Sequence, residues 1–257
     1  MKKKLSKRDY VNSLARGLEV IRAFTRKQPK MTLSEISRAT GMTRATVRRF
    51  VLTLVREGYA GTDGKLFSLT PKVLELGYAA LSSLTFVDVA QPIIVQLAYR
   101  LKESVFVAVL DDLDVVYVAS ATPPKRYLSI SVSVGSRAPA HAVSTGRVMI
   151  GALPEKERLE YFDKVALTKL TPNTVTSKLR LRSLIEESQD RGWSIVDQEL
   201  EIGLRSISVP VRDKTGVVIA ALNVACPSSR IDQDDMRMRI LPELQASSRS
   251  ITDNLQR

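Results

Sequence analysis

Cysteine and histidine are almost missing from this chain: its 257 residues hold one of each, Cys226 and His141. A single cysteine excludes an internal disulfide framework, and the pair together leaves no Cys/His cluster with zinc spacing. Such usage fits a reducing compartment. No uninterrupted apolar span of about 18 residues occurs, and the basic start "MKKKLSKRDY" is not followed by an apolar run of signal-peptide length. The expectation is a cytoplasmic protein with no membrane partner. Also missing are a G-x-S-x-G nucleophile elbow, a P-loop and a dinucleotide fingerprint. A nucleophilic mechanism would have to take its base from His141 alone. An enzyme is therefore not expected, and neither a cofactor nor a metal is implied. The acidic run "DQELEI" reads as a solvated loop, and Cys226 as a small buried residue rather than a redox sensor.

Basic charge is plentiful and unevenly placed. The net charge is +12, yet residues 1–84 hold 17 Lys+Arg against 6 Asp+Glu, while residues 85–257 hold 22 against 21. That division describes a small basic module that meets a polyanion, joined to a nearly neutral body with another task. Within the module, "SLARGLEVIRAFTRK" repeats apolar residues at Leu14, Leu18, Ile21 and Phe24 and predicts a first helix. In "MTLSEISRATGM", Thr32 and Glu35 have capping-box spacing, and Gly41 suits the left-handed residue that ends a helix. Thr43 then caps a third helix, whose apolar residues Val47, Phe50, Val51, Leu54 and Val55 mark one face. Arg44, Ala45, Arg48 and Leu52 mark the other face, with Thr46 and Arg49 beside it. Two short helices about a glycine turn, the second rich in Arg and Thr, predict a helix-turn-helix whose second helix enters the major groove.

Downstream, "GYAGTDGKLFSLT" places Asp63-Gly64 between two short strands, the favoured dipeptide of a two-residue hairpin turn, and makes the module winged. Candidate DNA contacts are Thr43, Arg44, Ala45, Thr46, Arg48 and Arg49 on the recognition helix, Lys65 on the wing, and Ser13 and Arg16 of the first helix. The winged helix-turn-helix is expected over 1–69. Thr70 as cap and Pro71 as first residue predict a linker helix over 70–85. A reader of this type addresses two half-sites about 34 Å apart, so apolar residues of the first and linker helices are candidates for a homodimer contact. They equally suit packing within one subunit.

From residue 86 to 257, helices and strands alternate without repeats, which implies an α+β sensor-like domain. Helices are expected over 86–104, 139–152, 154–163 and 177–191, and from Asp232 on, the last kinked by Pro242. Strands are expected on either side of the acidic turn Asp111 to Asp114, over "YLSISVSVG", and in a hairpin about Asp213 to Gly216. An effector pocket needs a few oriented polar groups in an apolar wall. Gly135 to Pro139, "GSRAP", is expected to lead into a helix whose first amides receive an anion, with Arg137 pairing a carboxylate and His141 and Ser144 in the first turns. An internal salt bridge for Arg137, or a satisfied core position for His141, remains open.

The ordered segments "SLARGLEVIRAF", "LSEISRATGMTRATVRRFVLTLVREGY", "PAHAVSTGRVMIGAL" and "DQELEIGLRSISVPVRDKTGVVIAALNVACP" resemble the IclR family of bacterial transcription regulators across nearly the whole chain. The resemblance implies a winged helix-turn-helix joined to a GAF-like effector domain, with double-stranded operator DNA as partner and a dimer or dimer of dimers as assembly. "SISVSVGSRAPAHAVSTGR" is similar to the branch regulating protocatechuate, 4-hydroxybenzoate and β-ketoadipate catabolism, which implies a small carboxylate effector, an aromatic acid first among them. Transfer by position puts Ser206, Asn223 and Ala225 at ligand contacts. Ser206 and Ser208 share one strand parity, and Ala221, Asn223 and Ala225 another. Where the family's glyoxylate-responsive pattern carries a Cys, an acid and two Ser, this chain has Ser206, Val196, Asn223 and Ala225, which argues for a larger, less polar ligand. The alternatives are a regulator of the same family sensing a non-aromatic acid such as glyoxylate, and a DNA-binding protein whose second domain only oligomerises.

Overall fold

The computed structural model of the chain describes residues 9–25, 27–82, 84–123 and 132–255, with backbone alone at 79–82. The chain divides into two compact units, Met1–Ser83 and Leu84–Arg257. Helix α1 (Asn12–Ala23) opens the first, followed by α2 (Leu33–Thr40) and α3 (Arg44–Arg56). The capping box closes as its spacing predicts: the Glu35 amide donates to Thr32 Oγ1 at 3.3 Å, and the Thr32 amide returns a bond to Glu35 Oε2 at 2.7 Å. Gly41 takes φ +68°, and Ser37 Oγ donates across the turn to the Met42 carbonyl at 2.5 Å. Val20, Met31, Ile36, Val47, Val51 and Phe67 form the core of this unit.

Three short strands complete it: β1 (Lys30–Met31), β2 (Ala60–Thr62) and β3 (Phe67–Leu69), in the order β1-β3-β2. β1 carried no sequence signal, because two residues have no period to read. Thr62 pairs with Phe67, so the wing turn spans four residues rather than the expected two. Asp63 Oδ1 accepts the Lys65 and Leu66 amides at 3.0 and 2.7 Å, and that Asx geometry holds the longer turn. Thr70 also departs from expectation. Its hydroxyl donates to the Gly58 carbonyl at 2.6 Å instead of capping, and a 3₁₀ turn, Pro71–Val73, precedes α4 (Leu74–Ser82).

The second unit is built on a six-stranded antiparallel sheet of β4 (Ser104–Asp111), β5 (Asp114–Ala121), β6 (Arg137–Pro139), β7 (Ser194–Asp197), β8 (Leu204–Arg212) and β9 (Val218–Pro227). Their order is β6-β5-β4-β9-β8-β7. Helices α5 (Phe86–Leu101) and α10 (Leu241–Leu255) pack on one face, and α6 (Ser144–Gly151) on the other. Beyond α6 come α7 (Glu155–Lys164) and α8 (Lys178–Arg191), the latter ending at Gly192 with φ +76°. A single helical turn, α9 (Gln233–Asp235), capped by Asp232, leads through a π-turn, Met236–Ile240, into α10. The π-turn absorbs Pro242, which lacks the amide an α-helix would need there.

Two expectations shift. Of the alternating strand over "YLSISVSVG", residues 127–131 lie outside the described residues, and 132–136 end in a turn closed by the Ser136 amide on the Ser133 carbonyl at 3.0 Å. The helix expected from 139 begins later: β6 and a 3₁₀ turn, Ala140–Ala142, come first, and Val143 interrupts with extended geometry. Among the described residues no helix is long and apolar enough to cross a membrane.

Candidate functional site

In the first unit, α3 buries Val47 and Val51 and leaves Arg44, Ala45, Arg48 and Arg49 exposed. Its start is fixed by Thr43, whose hydroxyl accepts the Thr46 amide at 3.2 Å and bonds the Thr46 hydroxyl at 2.9 Å. None of the three arginines forms an ion pair among the described residues. They are free to meet phosphate or a guanine edge. Lys65 is exposed on the wing, and Ser13 and Arg16 are exposed on α1.

In the second unit, strand pairing gathers polar side chains on the face beneath α6. Ser206 pairs with Ala225 and Ser208 with Asn223 in the β8–β9 register, so the two parities meet on one face. Ser144, at the start of α6, completes the group. Its hydroxyl bonds Ser206 and Ser208 at 2.8 and 2.7 Å, and Asn223 Nδ2 donates to Ser144 and Ser208 at 3.1 and 3.0 Å. A cavity of about 40 Å³ lies against this group, lined by Ser206, Asn223, Ala225, Val196, Phe106, Tyr117 and Thr145, together with Leu200, Leu204, Val132, Ala142 and Val143. Phe106 and Tyr117 meet edge to face at 5.7 Å between centroids.

Among the described residues the cavity wall holds no cationic side chain. An anion there would be received by hydroxyls and by the first amides of α6, which lie beyond the reach of any intrahelical acceptor. Close approach makes that wall possible. A Cβ on Gly146 would sit 1.9 Å from the Ala140 carbonyl oxygen, so only glycine lets the 3₁₀ turn fold onto the first turn of α6. Thr145 Oγ1 is buried and meets no partner in close hydrogen-bond geometry among the described residues. Burial raises the pKa of the neighbouring Tyr117 phenol, and the Thr145 hydroxyl beside it opposes the shift.

Not every expected residue reaches the cavity. Arg137 lies on the edge strand β6, where Ala138 takes the inward position, and its guanidinium is consumed at the surface. Nη1 meets Asp111 Oδ2 at 2.6 Å, Nε meets Asp114 Oδ2 at 3.1 Å, and Nη2 donates to the Asp111 carbonyl at 3.0 Å. Hydrogen bonding from Asp111, then from Asp114, raises its pKa against burial. The internal ion pair left open by the sequence is the geometry found, and it corrects the expectation of Arg137 as a pocket cation. Gly135 donates its amide to the Tyr117 carbonyl at 2.8 Å in a left-handed turn and does not line the cavity. His141 is buried, 3% exposed, with Nε2 on the Thr168 carbonyl at 3.2 Å; burial lowers its pKa.

The acidic run is also corrected. Glu199 is buried rather than solvated, and Arg147 Nη2 bonds both of its carboxylate oxygens at 2.7 Å. The pair spans 52 residues, which no local pattern records. Cys226 is buried, and desolvation pushes its thiol up to about 12. Among the described residues no group of three His, Cys, Asp or Glu side chains is placed to hold a metal ion.

Comparison with known proteins adds to this geometry. The family model for the IclR helix-turn-helix domain matches residues 13–64, and the model for the bacterial transcriptional regulator IclR C-terminal region matches residues 78–253. The "Pca regulon regulatory protein" of Pseudomonas putida is 40% identical over 247 residues, covering 96% of this chain and 85% of its own. A crystal structure of a transcriptional regulator from Rhodococcus sp. RHA1 superposes with TM-score 0.84 at 42% identity, covering 96% of this chain and 99% of the other. The structure of an IclR homolog from Microbacterium hydrocarbonoxydans complexed with 4-hydroxybenzoate gives TM-score 0.81 at 25% identity, covering 95% and 99%.

Proposed function

The chain belongs to the IclR family of bacterial transcription regulators, and from that premise we propose that it senses an aromatic monocarboxylate in the cavity beneath α6 and adjusts its grip on operator DNA accordingly. The observation that carries the ligand class is the make-up of that cavity. An edge-to-face Phe106–Tyr117 pair and aliphatic side chains form most of the wall, while hydroxyls, Asn223 and a helix N-terminus form the polar remainder. Such a site suits a flat apolar ring carrying one carboxylate and a hydrogen-bonding substituent. A relative of the same fold is complexed with 4-hydroxybenzoate, and another is described as a Pca regulon regulator, which supports the choice.

Ser206, Asn223 and Ala225 are the effector contacts, joined by Thr145 and the aromatic pair, while Ser144 does not line the cavity and its hydroxyl holds Ser206, Ser208 and Asn223 from behind. Arg137 stands outside. On the DNA side, Arg44, Thr46, Arg48 and Arg49 read the major groove, with Thr43 and Ala45 at the helix start, Lys65 on a phosphate, and Ser13 and Arg16 along the backbone. Two copies occupy a palindromic operator. Thermal melting with 4-hydroxybenzoate, protocatechuate, β-ketoadipate and glyoxylate tests the ligand class, because a ligand that binds the native state raises its melting temperature. An aromatic acid should stabilise most; stabilisation by glyoxylate alone would refute it.

A further inference from the structure

The cavity is small for a ligand of the proposed class. Its volume of about 40 Å³ has room for a few water molecules, since one needs roughly 10–15 Å³. Pockets for small organic ligands run to roughly 300 Å³ and above. Admission of an acid therefore requires one wall to withdraw. The floor belongs to paired strands, and the α6 wall is seated on Ala140 through Gly146. Two stretches outside these elements also line it: Val132, and the loop 198–203, which together with Leu204 brings Leu200 and Leu204 to the cavity and is the one anchored to α6 by a side chain.

That loop is shaped for retention rather than rigidity. Gln198 holds a left-handed φ of +59°, and its side-chain carbonyl accepts the Gly203 amide at 3.0 Å, so the loop closes on itself. Two backbone carbonyls tie it to the rest of the unit, Gln198 accepting the Thr171 hydroxyl at 2.7 Å and Gly203 the Ser228 amide at 2.7 Å, and its side-chain tie is Glu199. The carboxylate receives Arg147 of α6 and the Val175 amide at 3.1 Å, and the Glu199 carbonyl accepts the Thr174 hydroxyl at 2.7 Å. Arg147 and Glu199 have side chains only 3% and 8% exposed, and Arg147 Nε has no acceptor among the described residues. A buried ion pair of this kind is poor evidence of stability, because desolvation offsets its attraction and apolar side chains often serve as well. Its placement is more telling. One partner stands a turn beyond Ser144 on the wall taken to receive the effector, and the other on the loop that covers it.

We propose that Arg147 and Glu199 are positioning residues for effector recognition: their ion pair holds the loop bearing Leu200 and Leu204 against α6, and its strength sets how readily the cavity opens to an organic acid. Neither side chain touches the acid. Opening the loop draws on Arg147, so occupancy of the cavity is felt along α6. This inference rests on the cavity being the effector site.

Hydrogen exchange of the full chain, free of ligand, reads the loop directly. Glu199→Gln should make amides 199–204 exchange about tenfold faster while the central amides of β8 and β9 keep their protection. The double variant Arg147→Met with Glu199→Leu should retain the wild-type melting temperature and still exchange rapidly in the loop, which separates positioning from simple destabilisation. It also covers the case in which Glu199→Gln fails to fold. With 4-hydroxybenzoate as probe in stopped-flow mixing, both variants should associate and dissociate faster than wild type. Wild-type exchange in the double variant, or rapid exchange of the loop in the wild type itself, would overturn the proposal. Absence of 4-hydroxybenzoate binding to the wild type would count against the effector reading instead, and the exchange data would still decide the role of the pair.

Discussion

Gly146 and His141 show what single residues do where the 3₁₀ turn Ala140–Ala142 meets α6. Because a Cβ at 146 would lie 1.9 Å from backbone oxygen rather than a flexible side chain, nothing nearby can yield cheaply. Gly146→Ala should cost about 1–3 kcal/mol of stability, the range for an overpacked core, read as a lower urea midpoint. An unchanged midpoint would mean that the 3₁₀ turn can move away. His141 makes stability depend on pH. Burial, the largest influence, disfavours its charged form, so its folded pKa lies below the ordinary 6.5. The unfolded chain then binds the proton more readily, and the contribution is complete above pH 6.5 and lost as pH falls through the lower folded value. Urea midpoints should drop between pH 7.5 and pH 5.5, and His141→Gln should flatten that slope; an equal drop in the variant would assign the effect to other groups.

At the scale of elements, α3 and the wing differ in what they can read. Arg44 stands in the first turn of an exposed recognition face, where a bidentate base contact is available, whereas Lys65 sits on a turn suited to a phosphate. Arg44→Ala should lower operator affinity by about 1–3 kcal/mol and relax discrimination at one base position, while Lys65→Ala should weaken all sequences alike and reduce the salt slope by about one. Fluorescence anisotropy across a salt series with matched and mismatched operators separates the two patterns, and identical patterns would refute the division of roles. The reading helices were legible in sequence because their signals are local: Thr32 with Glu35, Gly41, Thr43, and apolar residues at helical spacing. The shared face of Ser206, Ser208, Asn223 and Ala225 was legible for a similar reason, since strand parity needs only the residue count. β1 and β6 were not legible, because strands of two or three residues gain identity only from a partner, Ser68 and Phe67 for one and Asp114 to Val116 for the other. Arg137 was misplaced with β6, and Glu199 was misread because its partner lies far along the chain.

Over the whole molecule, charge and apolar exposure are divided between the units in a way that suits two tasks. The first 84 residues carry nearly all of the +12 excess, and the same unit exposes Val11 just before α1, Leu14 and Leu18 on α1, and Leu74, Leu76 and Tyr78 on α4. On the proposed reading of a two-fold operator bound by two copies, these exposed aliphatic side chains would form the contact between them. Sedimentation should give a dimer or larger assembly, and Leu14→Glu with Leu18→Glu should shift it toward monomer with the fold retained; an unaltered sedimentation coefficient would move the contact elsewhere. The central claim is that an aromatic acid occupies the cavity beneath α6, and calorimetric titration of the full chain with 4-hydroxybenzoate tests it most directly when repeated on Ala225→Leu, which fills the cavity, and Arg137→Ala, which lies outside it. Saturable binding in the wild type, weakened at least about tenfold by Ala225→Leu and unchanged by Arg137→Ala, is the expected result. Binding lost with Arg137→Ala and kept with Ala225→Leu, or no heat from the wild type, would contradict it.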